Sequence, residues 1–225
     1  MVATLLLTLT AFGPYQKINV EGFTLQVERK ATESSLWPIA KKEIDNQLYR
    51  IARVVPDGPL SSMRKLTIWV HLDDKATACA AYHPAPEWLK EHGSDPAMAK
   101  GLEIANLEHF ISWTYEQPWM LLHELSHGYH DQFLSDGFEN KDVKETWQRA
   151  MSSKRYDSVL HWNGSQAKHY GENNQMEFFA ESTEAYFGQN DFYPFVNAEL
   201  KTFDPETYAL MVRIWGVPQK RLGKD

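Results

Sequence analysis

The chain has 225 residues, of which 43% are hydrophobic, 13% aromatic and 24% charged, with a formal net charge of −7. That length allows one domain with a sizeable core, and the acidic balance excludes a nucleic-acid binder, which needs a basic face. Cys79 is the only cysteine, which excludes an internal disulfide and a cysteine-based zinc site; no Lys/Arg run suits a lipid surface.

Residues 1–13 read either as an export signal or as a first strand. The apolar run Ala3–Phe12 is too short to span a membrane, so no integral membrane segment is expected there. Small residues at Ala11 and Gly13 suit signal cleavage, although no Lys or Arg precedes the run. A signal would place the protein outside the cell or in the envelope; the cytoplasm stays open. Phe23, Leu25 and Val27 alternate with polar residues, so 19–28 reads as one strand. Residues 33–54 have helical spacing, with a bend expected at Pro38, and Pro56-Asp57-Gly58-Pro59 reads as a turn. Leu66–Leu72 reads as a central strand, 78–83 as a short edge strand stopped by Pro84, and 102–105 as another strand. Helical fragments are expected at 85–91 and 107–115.

A longer helix follows Pro118 and stops at Ser135-Asp136-Gly137. Beyond it nearly everything reads helical: 140–153, Asn174–Phe187 with Gly188 as its stop, and Asp204 through Trp215 with Gly216 as its stop. The expected fold class is α+β, a single two-lobed domain over 14–225. A lobe at about 14–134 holds a small mixed sheet with helices, and a mainly helical lobe occupies about 135–225.

Within the helix after Pro118 lies His123-Glu124-Leu125-Ser126-His127, an H-E-x-x-H run. Residues four apart share a helix face, so both imidazoles can reach one metal ion, with bonds of about 2.0–2.1 Å to zinc. Glu124 then sits beside the ion, where a general base for an activated water belongs. The bland alternative is an accidental pair of histidines.

A catalytic zinc needs a third protein ligand. His130 faces the same way as His123 but lies two turns along, roughly 10 Å away, and suits packing better. The longer metzincin pattern requires Gly at 130 and His at 133, where this chain has His130 and Phe133. Acidic residues on the Asn174–Phe187 helix remain: Glu177 and Glu181 share a face, so one can bind metal while the other orients an imidazole. The competing role for Glu177 is helix capping with Asn174; Glu181 and Glu184 would then be solvated.

His123-Glu124-x-x-His127 together with Tyr170 and Glu177-Phe178-Phe179-Ala180-Glu181 resembles the catalytic domain of anthrax lethal factor and the related clostridial Pro-Pro endopeptidases, zinc metalloendopeptidases of the gluzincin type. The resemblance covers roughly 118–190. It implies a zincin-like fold, one Zn2+ held by His123, His127 and Glu177, an acidic partner at Glu181, and assistance to catalysis from Tyr170, seven residues before the third ligand. Gly171 departs from the alanine usual in the family. No substrate-docking region of the toxin is recognisable, so its substrate choice does not carry over.

The expected function is zinc-dependent hydrolysis of peptide bonds, with a peptide or protein substrate, Glu124 as general base and Tyr170 stabilising the oxyanion. Alternatives are a non-catalytic peptide-binding module on the same scaffold, and a zinc hydrolase acting on a non-peptide amide or ester. Residues 80–84 offer a substrate-aligning edge, with Tyr82 and His83 as candidate cleft residues. The segment 188–195 has no assigned role.

Overall fold

A computed structural model describes residues 14–218; the expected signal or first strand at 1–13 lies outside them. The fold is α+β, with a five-stranded mixed sheet and helices that dominate the C-terminal half.

Strands β1 (Tyr15–Val20) and β2 (Phe23–Glu28) form an antiparallel hairpin through Glu21-Gly22, both at positive φ. The single strand expected at 19–28 is thus two strands joined at a two-residue turn. Phe23, Leu25 and Val27 face the core at 0% exposure, the period-two pattern of a half-buried strand. Helices α1 (Arg29–Glu33) and α2 (Trp37–Val54) follow. Pro38 opens α2 rather than bending it, because its missing N–H is not needed in the first turn. The expected turn at 56–59 is the start of α3 (Asp57–Met63), where Pro59 again falls in the first turn.

Strand β3 (Thr67–Val70) pairs in parallel with β2 and with β5 (Leu102–Ile104); β4 (Ala80–Tyr82) pairs antiparallel with β5. The order β1-β2-β3-β5-β4 leaves β4 at the edge. Helices α4 (Pro86–Glu91) and α5 (Leu107–Trp113) flank this edge in sequence and lead to α6 (Met120–Phe133), which carries the H-E-x-x-H run.

No side chain of its own caps the start of α6. Instead Gln47 of α2, fully buried, accepts the Leu121 amide at 3.0 Å, and Arg50 donates to the Pro118 carbonyl at 2.7 Å while lying over the Trp119 ring. A buried amide at a helix start must find an acceptor, and Gln47 supplies it. Gly128 brings α6 close to the sheet: a Cβ there would meet Leu66 Cδ1 at 2.5 Å and the Tyr82 ring at 3.2 Å.

After α7 (Lys141–Ser152) and a small hairpin of β6 (Val159–Leu160) and β7 (Gln166–Ala167), α8 (Gln175–Phe187) packs against α6. Asn174 caps α8 by accepting the amides of Met176 and Glu177 at 2.9 Å. Helices α9 (Asn197–Phe203) and α10 (Pro205–Trp215) close the chain. Trp215 ties three helices together: it stacks on Phe179 of α8, meets Tyr129 of α6 at 4.3 Å, and donates its indole N–H to Thr183 at 3.0 Å. One core therefore runs from the β1–β2 hairpin to α10. No helix among the described residues is long and apolar enough to cross a membrane.

Candidate metal centre

The α6–α8 crossing brings His123, His127 and Glu177 together. Glu177 Oε2 lies 3.1 Å from His123 Nε2 and 3.3 Å from His127 Nε2, and one ligand atom from each residue fits within 4.8 Å of the others. Donors around a tetrahedral zinc with bonds near 2.1 Å sit about 3.4 Å apart, so two imidazoles and a carboxylate at these spacings suit such an ion in type and distance. Asn174 alone caps α8, leaving the Glu177 carboxylate free to face the imidazoles.

The electrostatics favour a cation. Burial works against charge on His123, but Glu177 and Glu184 outweigh it and hold its imidazole well above the usual range. Burial likewise opposes the Glu177 charge, yet His123 and His127 keep its carboxyl far below the ordinary value. A metal ion bound here would take the place of that proton, since imidazole ligates in its neutral form.

The orienting carboxylate is Glu184. Its Oε1 lies 2.7 Å from His123 Nδ1, whereas Glu181 Oε1 lies 3.7 Å away, beyond a hydrogen bond. The orienting role weighed for Glu181 thus falls to Glu184, one turn further along α8, which is buried rather than solvated. Glu181, 2% exposed, keeps Oε2 without a hydrogen bond; its nearest imidazole nitrogen, His169 Nε2, is 3.9 Å away. Burial pushes both carboxyls up, Glu184 to about 7, and Asp191 beside them adds repulsion.

Glu124 accepts the backbone N–H of Tyr82 at 2.7 Å through Oε2, which ties the α6 carboxylate to the edge strand. Cys79 and His83 direct their backbone bonds to β5, so the alternation turns the Ala80 and Tyr82 backbone outward, toward Glu124. Tyr170 lies on a short 3-10 turn, Tyr170–Glu172, 47% exposed and lining the space above His123 and Glu124. Burial and the nearby Glu177 raise its hydroxyl pKa. The glycine that follows is required by packing: a Cβ on Gly171 would meet Phe178 Cα at 2.9 Å and His169 Nδ1 at 3.0 Å. Close approach of the Tyr170 turn to α8 explains why alanine is absent here.

Of the two candidate cleft side chains, Tyr82 lines the cleft beside Glu124 and is also tied to the scaffold, whereas His83 lies outside it. The Tyr82 hydroxyl donates to Asp131 at 2.5 Å and accepts from Gln132 at 2.8 Å. His83 is 3% exposed and shares Glu103 with His71, at 2.8 Å and 2.6 Å respectively. What β4 presents near Glu124 is its backbone. His130 is fully buried against Phe138 and Phe179, its pKa depressed to about 4 by burial, and it lies outside the ligand cluster.

Two clefts flank the cluster. The first, about 400 Å³, is lined by Trp113, Met120, His161, Glu181, Asp191 and Phe192 among others. The second, about 290 Å³, runs past Ala81, Tyr82, Phe138 and Met176. Ala80, His123, Glu124 and Tyr170 line both. Sequence reasoning left 188–195 without a role; Asp191 and Phe192 are walls of the first cleft. Glu184 was signalled by its place on the Glu177 face, seven residues on. Compared with known protein families, with characterised proteins and with solved structures, the chain matches none.

Proposed function

We propose that this protein is a zinc-dependent metalloendopeptidase with a zincin-like fold of the gluzincin type, resembling the catalytic domain of lethal factor and the Pro-Pro endopeptidases in its site residues. The observation that carries the proposal is the meeting of Glu177 Oε2 with both His123 Nε2 and His127 Nε2, at 3.1 Å and 3.3 Å. His123, His127 and Glu177 would hold the ion, with Glu184 fixing the His123 ring. When bound, zinc supplies Lewis acidity that makes a water molecule easier to deprotonate.

The remaining steps belong to the chain. Glu124, its Oε2 anchored on the Tyr82 amide, takes the proton of the attacking water on Oε1 and passes it to the leaving amine. Tyr170 donates its hydroxyl hydrogen to the oxyanion that develops on the scissile carbonyl. The outward backbone of Ala80 and the Tyr82 carbonyl pair with a peptide laid along the edge of β4, which orients the bond over Glu124. A groove open at both clefts suits an interior bond of a peptide or protein.

The test compares zinc content and peptide hydrolysis of the wild type with those of Glu124→Gln. About one zinc per chain in both, with hydrolysis lost by at least a hundredfold in the variant, is expected. Absence of bound metal, or near wild-type cleavage by the variant, overturns the proposal.

A further inference from the structure

The first cleft is acidic beyond the needs of the metal cluster. Glu116, Glu124, Glu181 and Asp191 line it, and no lysine or arginine does. Glu177 faces the two metal-site imidazoles, and Glu184 is matched by His123. Of the four that line the cleft, Glu116 is exposed and Glu124 accepts the Tyr82 amide, so Glu181 and Asp191 are left, 2% and 5% exposed. Glu181 Oε2 makes no hydrogen bond, and Asp191 Oδ2 receives only a long one, 3.3 Å, from Gln117, with His161 Nε2 at 3.7 Å. A buried carboxylate oxygen without a donor is costly and is relieved by a proton or by a cation, and a substrate guanidinium or ammonium supplies the second. His169 cannot supply the charge: its Nδ1 accepts the Gly171 amide, and burial depresses its pKa to about 3.

The walls above these carboxylates are aromatic and apolar. Trp113, His161 and Phe192 line the cleft with Met120, and His161 stacks on Phe192 at 4.4 Å. Aromatic faces over a carboxylate floor suit a guanidinium or ammonium, whose alkyl stem packs on the walls while its donors reach the oxygens. A volume of about 400 Å³ holds such a side chain.

The strand fixes which substrate residue reaches it. β4 runs from Ala80, which lines both clefts, to Tyr82, which lines the second but not the first. A peptide pairing antiparallel with β4 runs the other way, so its N-terminal part lies in the second cleft and its C-terminal part enters the first.

Resting on the peptidase proposed above, we propose that the first cleft is a specificity subsite for an arginine or lysine immediately C-terminal to the cleaved bond, bound by Glu181 and Asp191. The test uses zinc-loaded full-length protein and a peptide library read by mass spectrometry. A peptide with arginine at the preferred position is then paired with its citrulline analogue, equal in shape but neutral. Enrichment of Arg and Lys after the cut is expected, with cleavage efficiency falling on the order of 10- to 100-fold for citrulline. Calorimetric binding of the same pair to zinc-loaded Glu124→Gln should show the same ratio without turnover. Asp191→Asn, which keeps the shape, should weaken the arginine peptide more than the citrulline peptide and so narrow the ratio between them. Cleavage indifferent to charge, or basic preference only before the cut, overturns the subsite while leaving the peptidase standing. No cleavage of any peptide by zinc-loaded protein overturns both.

Discussion

Replacing Glu184 with glutamine is expected to weaken zinc binding by about 10- to 100-fold, or about 1.4–2.7 kcal/mol. The magnitude follows from one contact. Glu184 Oε1 accepts from His123 Nδ1 at 2.7 Å inside a buried site, a charge-assisted hydrogen bond that makes Nε2 a better donor to the metal. Glutamine keeps the shape and an acceptor oxygen but loses the charge. Glu181, 3.7 Å from the same nitrogen, should matter less to the metal, so Glu181→Gln is the control. Competition against a chromogenic chelator at neutral pH reads both affinities, with circular dichroism to confirm folding. If Glu181→Gln loses zinc more severely than Glu184→Gln, the assignment of the orienting carboxylate is refuted.

Tyr170→Phe should leave zinc content intact and lower kcat on the order of 10²–10³-fold, measured at saturating peptide. Gly171→Ala forces a Cβ to within 2.9 Å of Phe178 Cα and should destabilise by about 1–3 kcal/mol in thermal or denaturant unfolding. Glu103 gives a pH prediction: burial opposes its charge, but His71 and His83 hold its carboxyl down to about 2, from an ordinary value of about 4.5. A depressed folded pKa means that the stabilisation, on the order of 3 kcal/mol, is present above about pH 4.5 and is lost as pH falls toward 2. Glu103→Gln should therefore flatten the acid limb of a stability-versus-pH curve, and an unchanged limb would refute the contribution.

Much of the fold was legible because periodicity and end signals agree. The central strand, the edge strand before Pro84, and the helices ending at Phe187 and Trp215 all have the right pattern between clear stops. The errors fall where local chemistry is ambiguous. Glu21-Gly22 is a weaker hairpin signal than Asn-Gly or Asp-Gly, so two strands read as one. Pro38 and Pro59 are tolerated because each falls in a first turn, a position that composition alone does not reveal. Helix α9 opens at Val196, without the Pro or Asn start signal that marks the equally short α4 and α5.

The site divides along the same line. His123 and His127 meet because helix geometry places residues four apart on one face, which sequence alone dictates. Glu177, Glu181 and Glu184 likewise form one acidic stripe on α8, at positions i, i+4 and i+7. Which member of the stripe meets which imidazole atom depends on how α8 crosses α6, and that is a tertiary quantity. The crossing is set by bulk such as Phe179 against Trp215, and by the Gly171 turn lying against Phe178. It turns Glu177 toward both Nε2 atoms and Glu184 toward Nδ1, and leaves Glu181 between them with a free oxygen. Glu181 also lines the first cleft beside a loop whose role sequence could not assign, and that loop adds Asp191 and Phe192. On the proposed reading the same stripe would do three different jobs, metal ligation, ring orientation and cleft charge, which no spacing rule distinguishes.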